Sequence, residues 1–306
     1  VERIFSNMEA ENRLVVDGND AAELYSTYGI PPELVESLAV ERNFTFDTEG
    51  FRQAMIQHGI DSGKQQGELF KTGPIESLKK VLRKTPFEGY ETDELDAKIK
   101  GIIARGQLWD TLSDVGENES VQVVLDRTPF YAEAGGQMGD AGEIVGDGFR
   151  FRVTDTQLEG ELIVHIGSLV SGEISAGAKV KARVDATRRQ AIRRAHSATH
   201  ILHHALRNHL GQHAQQQGSK VDSDWLRFDF TNLAPVPDEQ LVEVEQDVKK
   251  RITAAEPVQA GYVSLAEARK RGAMMLFGEK YPDPVRLVSM GEFSRELCGG
   301  THIENT

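Results

Sequence analysis

The sequence has a single cysteine among its 306 residues, Cys298. One cysteine excludes an intramolecular disulfide framework and favours a reducing compartment, so a cytoplasmic protein is expected. No apolar run approaches the roughly 18 residues of a membrane span, and we expect no integral membrane protein. Positive charge is also in short supply, since 35 Lys and Arg stand against 48 Asp and Glu, for a net charge of -13. Any nucleic acid would therefore have to bind at a local basic patch.

The ends of the sequence carry no targeting signal. The chain opens at Val1 without an initiator methionine, and neither a secretory signal peptide nor an Arg-rich transit signature follows. It closes shortly after CGGTH at 298–302, a segment dense in chemically active residues. We therefore expect a piece of a longer protein, cut close behind a functional segment.

Length and hydrophobic pattern together predict a multidomain α+β protein. A chain of 306 residues suggests two or three domains. Residues 1–112 are expected to be mostly helical, since capped segments with apolar residues three and four apart dominate there. Over 113–187, short alternating stretches between Gly-rich turns predict a small β-barrel. Residues 188–306 are expected to form an α+β core that opens with a long amphipathic helix.

Some boundaries follow from single residues. Gly29 is expected to end one helix, and Asp47 to begin another that ends at Gly59. The segment ETDELDAKIKGII at 91–103 is compatible with a short helix or with the entry to a strand.

Histidine is concentrated in one region, with six of nine between residues 196 and 213. Three pairs have the i, i+4 spacing that places two imidazoles on one helix face: His196/His200, His200/His204 and His209/His213. Such a pair can bind one metal ion, although a His-rich helix produces these spacings easily.

A stronger signal comes from Cys298 and His302. At a frequency of nine in 306, a histidine four residues after the cysteine is a roughly 3% coincidence, and the intervening glycines allow a tight turn. Together with two helix histidines, the pair makes a Cys/His3 set that suits Zn²⁺. The alternatives are a buried, inert cysteine and solvated histidines. His203, His204, His209 and His213 are interpreted as ordinary surface or core residues.

Two further clusters have an ordinary and a functional interpretation. The Gly-rich motif comprises Gly135, Gly136, Gln137, Gly139 and Asp140. It forms either plain turns or a loop that faces substrate. The basic cluster comprises Lys179, Lys181, Arg183, Arg188, Arg189, Arg193 and Arg194. We expect it to contact the phosphates of a nucleic acid, unless it is simply a solvated face.

Six motifs in order resemble the editing region of alanyl-tRNA synthetases. They are RTPFYAEAGGQMGDAGEI (127–144), HSATH (196–200), QQGS (216–219), LRFDF (226–230), LFGEKYPDPVRLVSMG (276–291) and CGGTH (298–302). The resemblance covers about 120–306. Residues 1–105 look like the end of the helical tRNA-recognition domain of that family, whereas its ATP-binding aminoacylation domain has no counterpart here.

The resemblance implies a hydrolase of protein biosynthesis that deacylates mischarged Ser-tRNA(Ala) and Gly-tRNA(Ala). It implies zinc ligands at His196, His200, Cys298 and His302. Thr199 matches the position that recognises the serine hydroxyl. Gln216 matches a glutamine of the same pocket, or Gln217 does if the register slips by one. The Gly-rich motif matches one that bears on editing efficiency.

The sequence leaves the mechanism and two other functions open. Zinc would either supply a hydroxide at an open coordination position or only hold the substrate. The second role is left open because four protein ligands are typical of a closed, structural site. The chain is alternatively a non-catalytic, zinc-stabilised tRNA-binding fragment that is inactive because it is truncated. A metal hydrolase of small esters is a third, weaker possibility.

Overall fold

The computed structural model describes residues 13–28, 30–61, 73–113, 115–116, 119–275 and 281–306, together with Phe5 and Met8. The helix end expected at Gly29 and the LFGEK part of the motif at 276–291 lie outside these residues. None of the described helices is both long and apolar enough to cross a membrane.

The described part of the first 81 residues contains helices α1 to α4: Gly18–Tyr28, Pro32–Glu41, Thr48–Asp61 and Pro74–Val81. Two short parallel strands, β1 (Val15–Val16) and β2 (Thr45–Phe46), pair alongside them. Asp47 caps α3 as expected, since its carboxylate accepts a 2.9 Å hydrogen bond from the Gly50 amide. The helix continues past Gly59, because a glycine inside a helix costs only about 1 kcal/mol.

A closed six-stranded barrel follows. The strands of this region are β3 Glu94–Ala104, β4 Gln107–Trp109, β5 Thr111–Leu112, β6 Val121–Leu125, β7 Gly142–Gly146, β8 Phe149–Glu159, β9 Leu162–Ser171, β10 Ile174–Ser175 and β11 Lys179–Val184. The order β11-β7-β8-β9-β6-β3 closes because β3 also pairs with β11. Exposed and buried residues alternate along the whole of strand β11. The predicted small barrel is confirmed.

The barrel begins earlier in the chain than the sequence suggested. The segment at 91–103 contains β3, a strand, and β5 pairs with β10. The change from helices to strands therefore comes earlier in the chain than the expected domain boundary at residue 112. The helical segment ends at Val81, and the strands of the barrel begin at Glu94. The sequence of β3 is ambiguous because Ala97, Ile99 and Gly101 alternate with lysines that are also good helix formers.

The last third of the chain packs helices against two small sheets. Its elements are α5 Ala186–Leu210, β12 Gln216–Val221, β13 Leu226–Phe230, α6 Asp238–Ala254, β14 Val258–Val263, α7 Leu265–Lys270, β15 Val285–Met290 and β16 Ser294–Leu297. The predicted long helix is confirmed as α5. Strands β15 and β16 form a hairpin, because Gly291 turns the chain at φ 47°.

Candidate metal centre and pocket

Helix α5 sets the positions of the first two candidate ligands. Asp185 caps it by accepting a 3.0 Å hydrogen bond from the Arg188 amide. With neither glycine nor proline inside it, α5 stays regular past His196 and His200, whose rings stack with centroids 5.4 Å apart. The predicted helix face is therefore real, and both histidines are buried on it.

The second pair lies on the turn that follows β16. Arg286 holds this turn by donating hydrogen bonds to the carbonyls of Cys298 (2.8 Å) and Gly300 (2.9 Å). A Cβ on Gly300 would lie 2.1 Å from Cε1 of His196, so only glycine lets the turn approach the helix so closely. The His302 ring consequently lies 4.5 Å from the His196 ring.

The four side chains converge on one point. One ligand atom from each of His196, His200, Cys298 and His302 lies within 4.8 Å of all the others. Cys298 Sγ is 3.5 Å from Nε2 of His196 and 3.3 Å from Nε2 of His302. Zinc bonds of about 2.3 Å to sulfur and about 2.0 Å to nitrogen, at tetrahedral angles, would separate the two atoms by about 3.5 Å.

Each of the three histidines is held in place through Nδ1 rather than Nε2. Nδ1 of His200 donates to Glu296 at 2.8 Å, and Nδ1 of His196 donates to Gln137 at 2.7 Å. Nδ1 of His302 lies 3.1 Å from the Ser197 hydroxyl. Outer partners of this kind are typical of metal-binding histidines, because they fix the tautomer and the ring orientation.

The electrostatics favour a thiolate at the centre. Burial by itself raises the pKa of Cys298, but its histidine neighbours, His196 above all, outweigh it and hold this pKa well below its usual value. Burial likewise opposes charge on His200 and Glu296, yet their mutual attraction raises the pKa of His200 and lowers that of Glu296. Thiolate is the form of cysteine that binds a metal.

Nε2 of His200 is buried, points into the cluster and has no hydrogen-bond partner among the described residues. The ring is otherwise fixed by Glu296. A buried polar atom of this kind is costly unless something satisfies it. The donor set, the separations and this orphaned nitrogen together fit a tetrahedral Zn²⁺.

A pocket of 310 Å³ opens beside the cluster. Thr199 and Gln216 both line it, together with His196, His200 and Cys298. Gln217 is exposed and does not line it, so of the two candidate glutamines only Gln216 lies at the pocket. The structure thus brings the expected recognition residues and metal ligands to one place.

Comparison with known proteins gives the family. A family model described as "tRNA synthetases class II (A)" matches residues 1–188, which is more than half of the chain. The chain belongs to this family. A second model, described as "Threonyl and Alanyl tRNA synthetase second additional domain", matches residues 285–306 and includes the turn with Cys298 and His302.

Relatives of this class II synthetase chain are alanine–tRNA ligases, as the motifs indicated. The protein of Rhodopirellula baltica is 54% identical over 314 residues, which cover 100% of the chain and 33% of that protein. Those of Synechococcus sp. and Legionella pneumophila are each 40% identical, over 99% and 95% of the chain and 34% and 33% of the relative. The chain spans about a third of the length of these curated relatives. The resemblance to alanyl-tRNA synthetases is confirmed.

The Gly-rich motif forms part of the contact between the barrel and the α+β core. Gln137 and Asp140 are both buried, and Gly135 lines the pocket. Gly136 has φ +83°, and a Cβ there would lie 2.4 Å from the Ser219 carbonyl oxygen. At Gly139 a Cβ would lie 2.2 Å from the Thr156 carbonyl oxygen. The motif is therefore a close-packed junction rather than a set of plain turns.

Only some residues of the basic cluster are exposed to solvent. Arg189, expected to contact phosphate, is fully buried and binds Asp140, so that expectation is wrong for this residue. Arg193 is half-buried beside Asp93, and Arg188 binds Asp222. The exposed members are Lys179, Lys181, Arg183 and Arg194.

Glu296, Ser197 and His203 lie at the site, although their positions there were not predicted from the sequence. Glu296 lies two residues before Cys298, a spacing that places both on one side of a strand, and this was the signal available. His203, interpreted as an ordinary histidine, is 1% exposed and lines the pocket 3.5 Å from Glu296. Ser197 carried no signal, because its role depends on where His302 returns to the helix.

Proposed function

We propose that this chain carries the editing site of an alanyl-tRNA synthetase and hydrolyses the ester of mischarged Ser-tRNA(Ala) and Gly-tRNA(Ala). The observation that carries the proposal is the pocket in which Thr199 and Gln216 lie beside the Cys/His3 cluster. The alanine–tRNA ligase relatives supply the substrate class, since their names specify both the amino acid and the RNA.

His196, His200, Cys298 and His302 would hold the zinc. Zinc at such a site polarises a carbonyl oxygen, lowers the pKa of bound water or orients a substrate amino group. The chain's own part is to hold three rings by Nδ1 and to keep the thiolate partly buried beside them. His203 and Glu296 add a polar wall on the pocket side of His200.

Thr199 is suited to select serine over alanine. Its hydroxyl donates a 3.0 Å hydrogen bond to the Ala195 carbonyl, which leaves the oxygen lone pairs to accept from a serine hydroxyl. Alanine has no such group and would leave polar atoms of the pocket unpaired, at about 1–3 kcal/mol. This is how a second, hydrogen-bonding site corrects an apolar pocket that cannot reject an added hydroxyl.

The exposed face of the barrel offers a surface for the phosphates of tRNA. Lys98 and Lys179 lie directly opposite each other in the β3–β11 register, and like charges in that arrangement repel. Neighbouring outward positions add four further cations, Arg150, Arg152, Lys181 and Arg183. Lys181 and Arg183 pair with Glu94, and the other acids nearby are Asp96, Asp126, Glu143 and Asp147. An RNA phosphate would relieve the repulsion.

Salt dependence tests this surface. Replacing both Lys98 and Lys179 with glutamine should reduce the slope of log affinity against log salt by about 1 for each phosphate that the variant no longer binds. An unchanged slope would place the RNA elsewhere. Lys249→Gln, at an exposed lysine of α6 that pairs with Glu245, is the matched control.

A second candidate function follows from the ligand count. Four protein ligands close a tetrahedral site, as in structural zinc centres, so the chain would then be a zinc-stabilised tRNA-binding module without turnover. The two functions make different predictions for mischarged tRNA, which is consumed in the first and only bound in the second.

The deciding experiment compares His200→Ala with His209→Ala. His200→Ala should lose both zinc and deacylation of Ser-tRNA(Ala), because it removes a ligand. His209 lies on the same helix but pairs with Glu243 and Asp247 at its far end, so its variant should keep both. A His200→Ala protein with full zinc and full deacylation would refute the assignment.

A further inference from the structure

Gln137 lies at the point where the barrel meets both halves of the metal cluster. Its side chain is 0% exposed. Oε1 lies 2.7 Å from Nδ1 of His196 and 2.9 Å from the Thr301 amide nitrogen, while Nε2 donates to the Thr301 hydroxyl at 3.0 Å. One side chain of the Gly-rich motif therefore contacts the helix ligand and the turn between Cys298 and His302.

We propose that Gln137 is a positioning residue of the metal centre, which orients His196 and fixes the CGGTH turn from the barrel side. The inference rests on the proposed zinc site. It assigns to one residue of the Gly-rich motif a defined physical task.

The backbone of Thr301 determines which way the amide of Gln137 points. A backbone N–H can only donate, so the atom 2.9 Å from it must be the carbonyl oxygen of Gln137 rather than its NH2 group. The same oxygen then requires a proton on Nδ1 of His196. A neutral His196 consequently carries its free lone pair on Nε2, which faces Cys298 Sγ.

The glycines around Gln137 make this approach possible. Gly135 and Gly136 adopt φ +57° and +83°, a region that other residues rarely enter. The loop is also tied to β12, since the Val221 amide donates to Gly136 O at 2.8 Å and the Met138 amide donates to Val221 O at 3.0 Å. The backbone of Gln137 is thus held on both sides, so its side chain can act as a rigid support.

Zinc affinity of the whole chain, measured by competition with a chromophoric chelator, tests the role. Gln137→Met keeps the size and removes the acceptor, and should weaken zinc binding by about 10- to 100-fold. Gln137→Glu restores an oxygen that accepts from His196 and Thr301, and should return the affinity close to that of the parent. Gln157→Met is the control, because Gln157 is a barrel glutamine that bonds only Glu133 and Asp155 among the described residues.

The absorption spectrum of the Co²⁺-substituted protein separates positioning from general stability. A positioning role predicts altered d–d bands in Gln137→Met and recovered bands in Gln137→Glu. If Gln137→Met does not fold, Gln137→Asn takes its place. Asparagine keeps the amide but is one methylene shorter, so this variant must then show the weaker zinc binding. Parent-like zinc affinity and spectrum in the methionine or asparagine variant would overturn the inference. A parent chain that binds no zinc would instead overturn the proposed site itself.

Discussion

Replacement of Arg189 by methionine should cost more stability than any change to an exposed arginine of the same cluster. The guanidinium is 0% exposed, donates to the Asp140 carboxylate at 2.9 Å and also donates to the carbonyls of Gly89 (2.8 Å) and Pro129 (2.7 Å). Methionine would leave Asp140 as a buried, uncompensated charge, and breaking a buried pair in this way costs about 3–5 kcal/mol.

Urea unfolding followed by circular dichroism measures this cost, with Arg194→Met as the exposed control. The double variant Arg189→Met with Asp140→Asn should be destabilised by less than the sum of the two single changes, because it removes the lone charge. Arg189 joins helix α5 to the barrel, so unfolding of the single variant should also separate into two transitions. A midpoint equal to that of the parent, combined with weaker tRNA binding, would refute the reasoning and return Arg189 to the RNA-binding surface.

Three other predictions concern the pocket, the metal centre and the barrel. Gln216→Ala should lower the rate of Ser-tRNA(Ala) deacylation in a single-turnover assay while Gln217→Ala does not, since only Gln216 lines the pocket; equal effects would contradict this. Glu296→Gln should weaken zinc binding in chelator competition by about 10- to 100-fold, because an amide supports His200 less well than a carboxylate, whereas Glu292→Gln, at a side chain 93% exposed, should not. Burial lowers the pKa of His165 to about 4, so the folded chain keeps it neutral while the unfolded chain protonates it below about 6.5. Stability is therefore lost as pH falls from about 6.5 to 4, and this histidine should account for about 2 kcal/mol at pH 5. His165→Gln, compared with the parent by urea unfolding at pH 7 and 5, should reduce that loss, and an identical loss would contradict the assignment.

Local signals in the sequence predicted much of the fold. The cap at Asp47, the turn chemistry around the barrel strands and the period of α5 depend on residues close in the chain, and each is confirmed. Where apolar alternation and helix propensity conflict, as at 94–104, the sequence alone leaves both structures open. There the pairing of β3 with β6 and β11, far along the chain, decides the structure.

The candidate site shows the same division between local and long-range information. The spacings within HSATH and CGGTH are local and predict the ligand types, while the resemblance implies which four residues bind the metal; the structure brings these four together. The buried state of Arg189 depends on Asp140, 49 residues away. No periodic pattern in the sequence indicates this contact. The partners of the three Nδ1 atoms are likewise set by how the barrel, helix and turn meet, which is why Glu296 and Ser197 were missed.

The most direct test of the proposed function is deacylation of Ser-tRNA(Ala) and of Ala-tRNA(Ala) by this chain, with and without a zinc chelator. The account predicts rapid loss of serine, sparing of alanine and inhibition by the chelator. Equal hydrolysis of both esters, or serine release that the chelator does not affect, would contradict it. Binding of tRNA without any turnover would instead establish the non-catalytic zinc module.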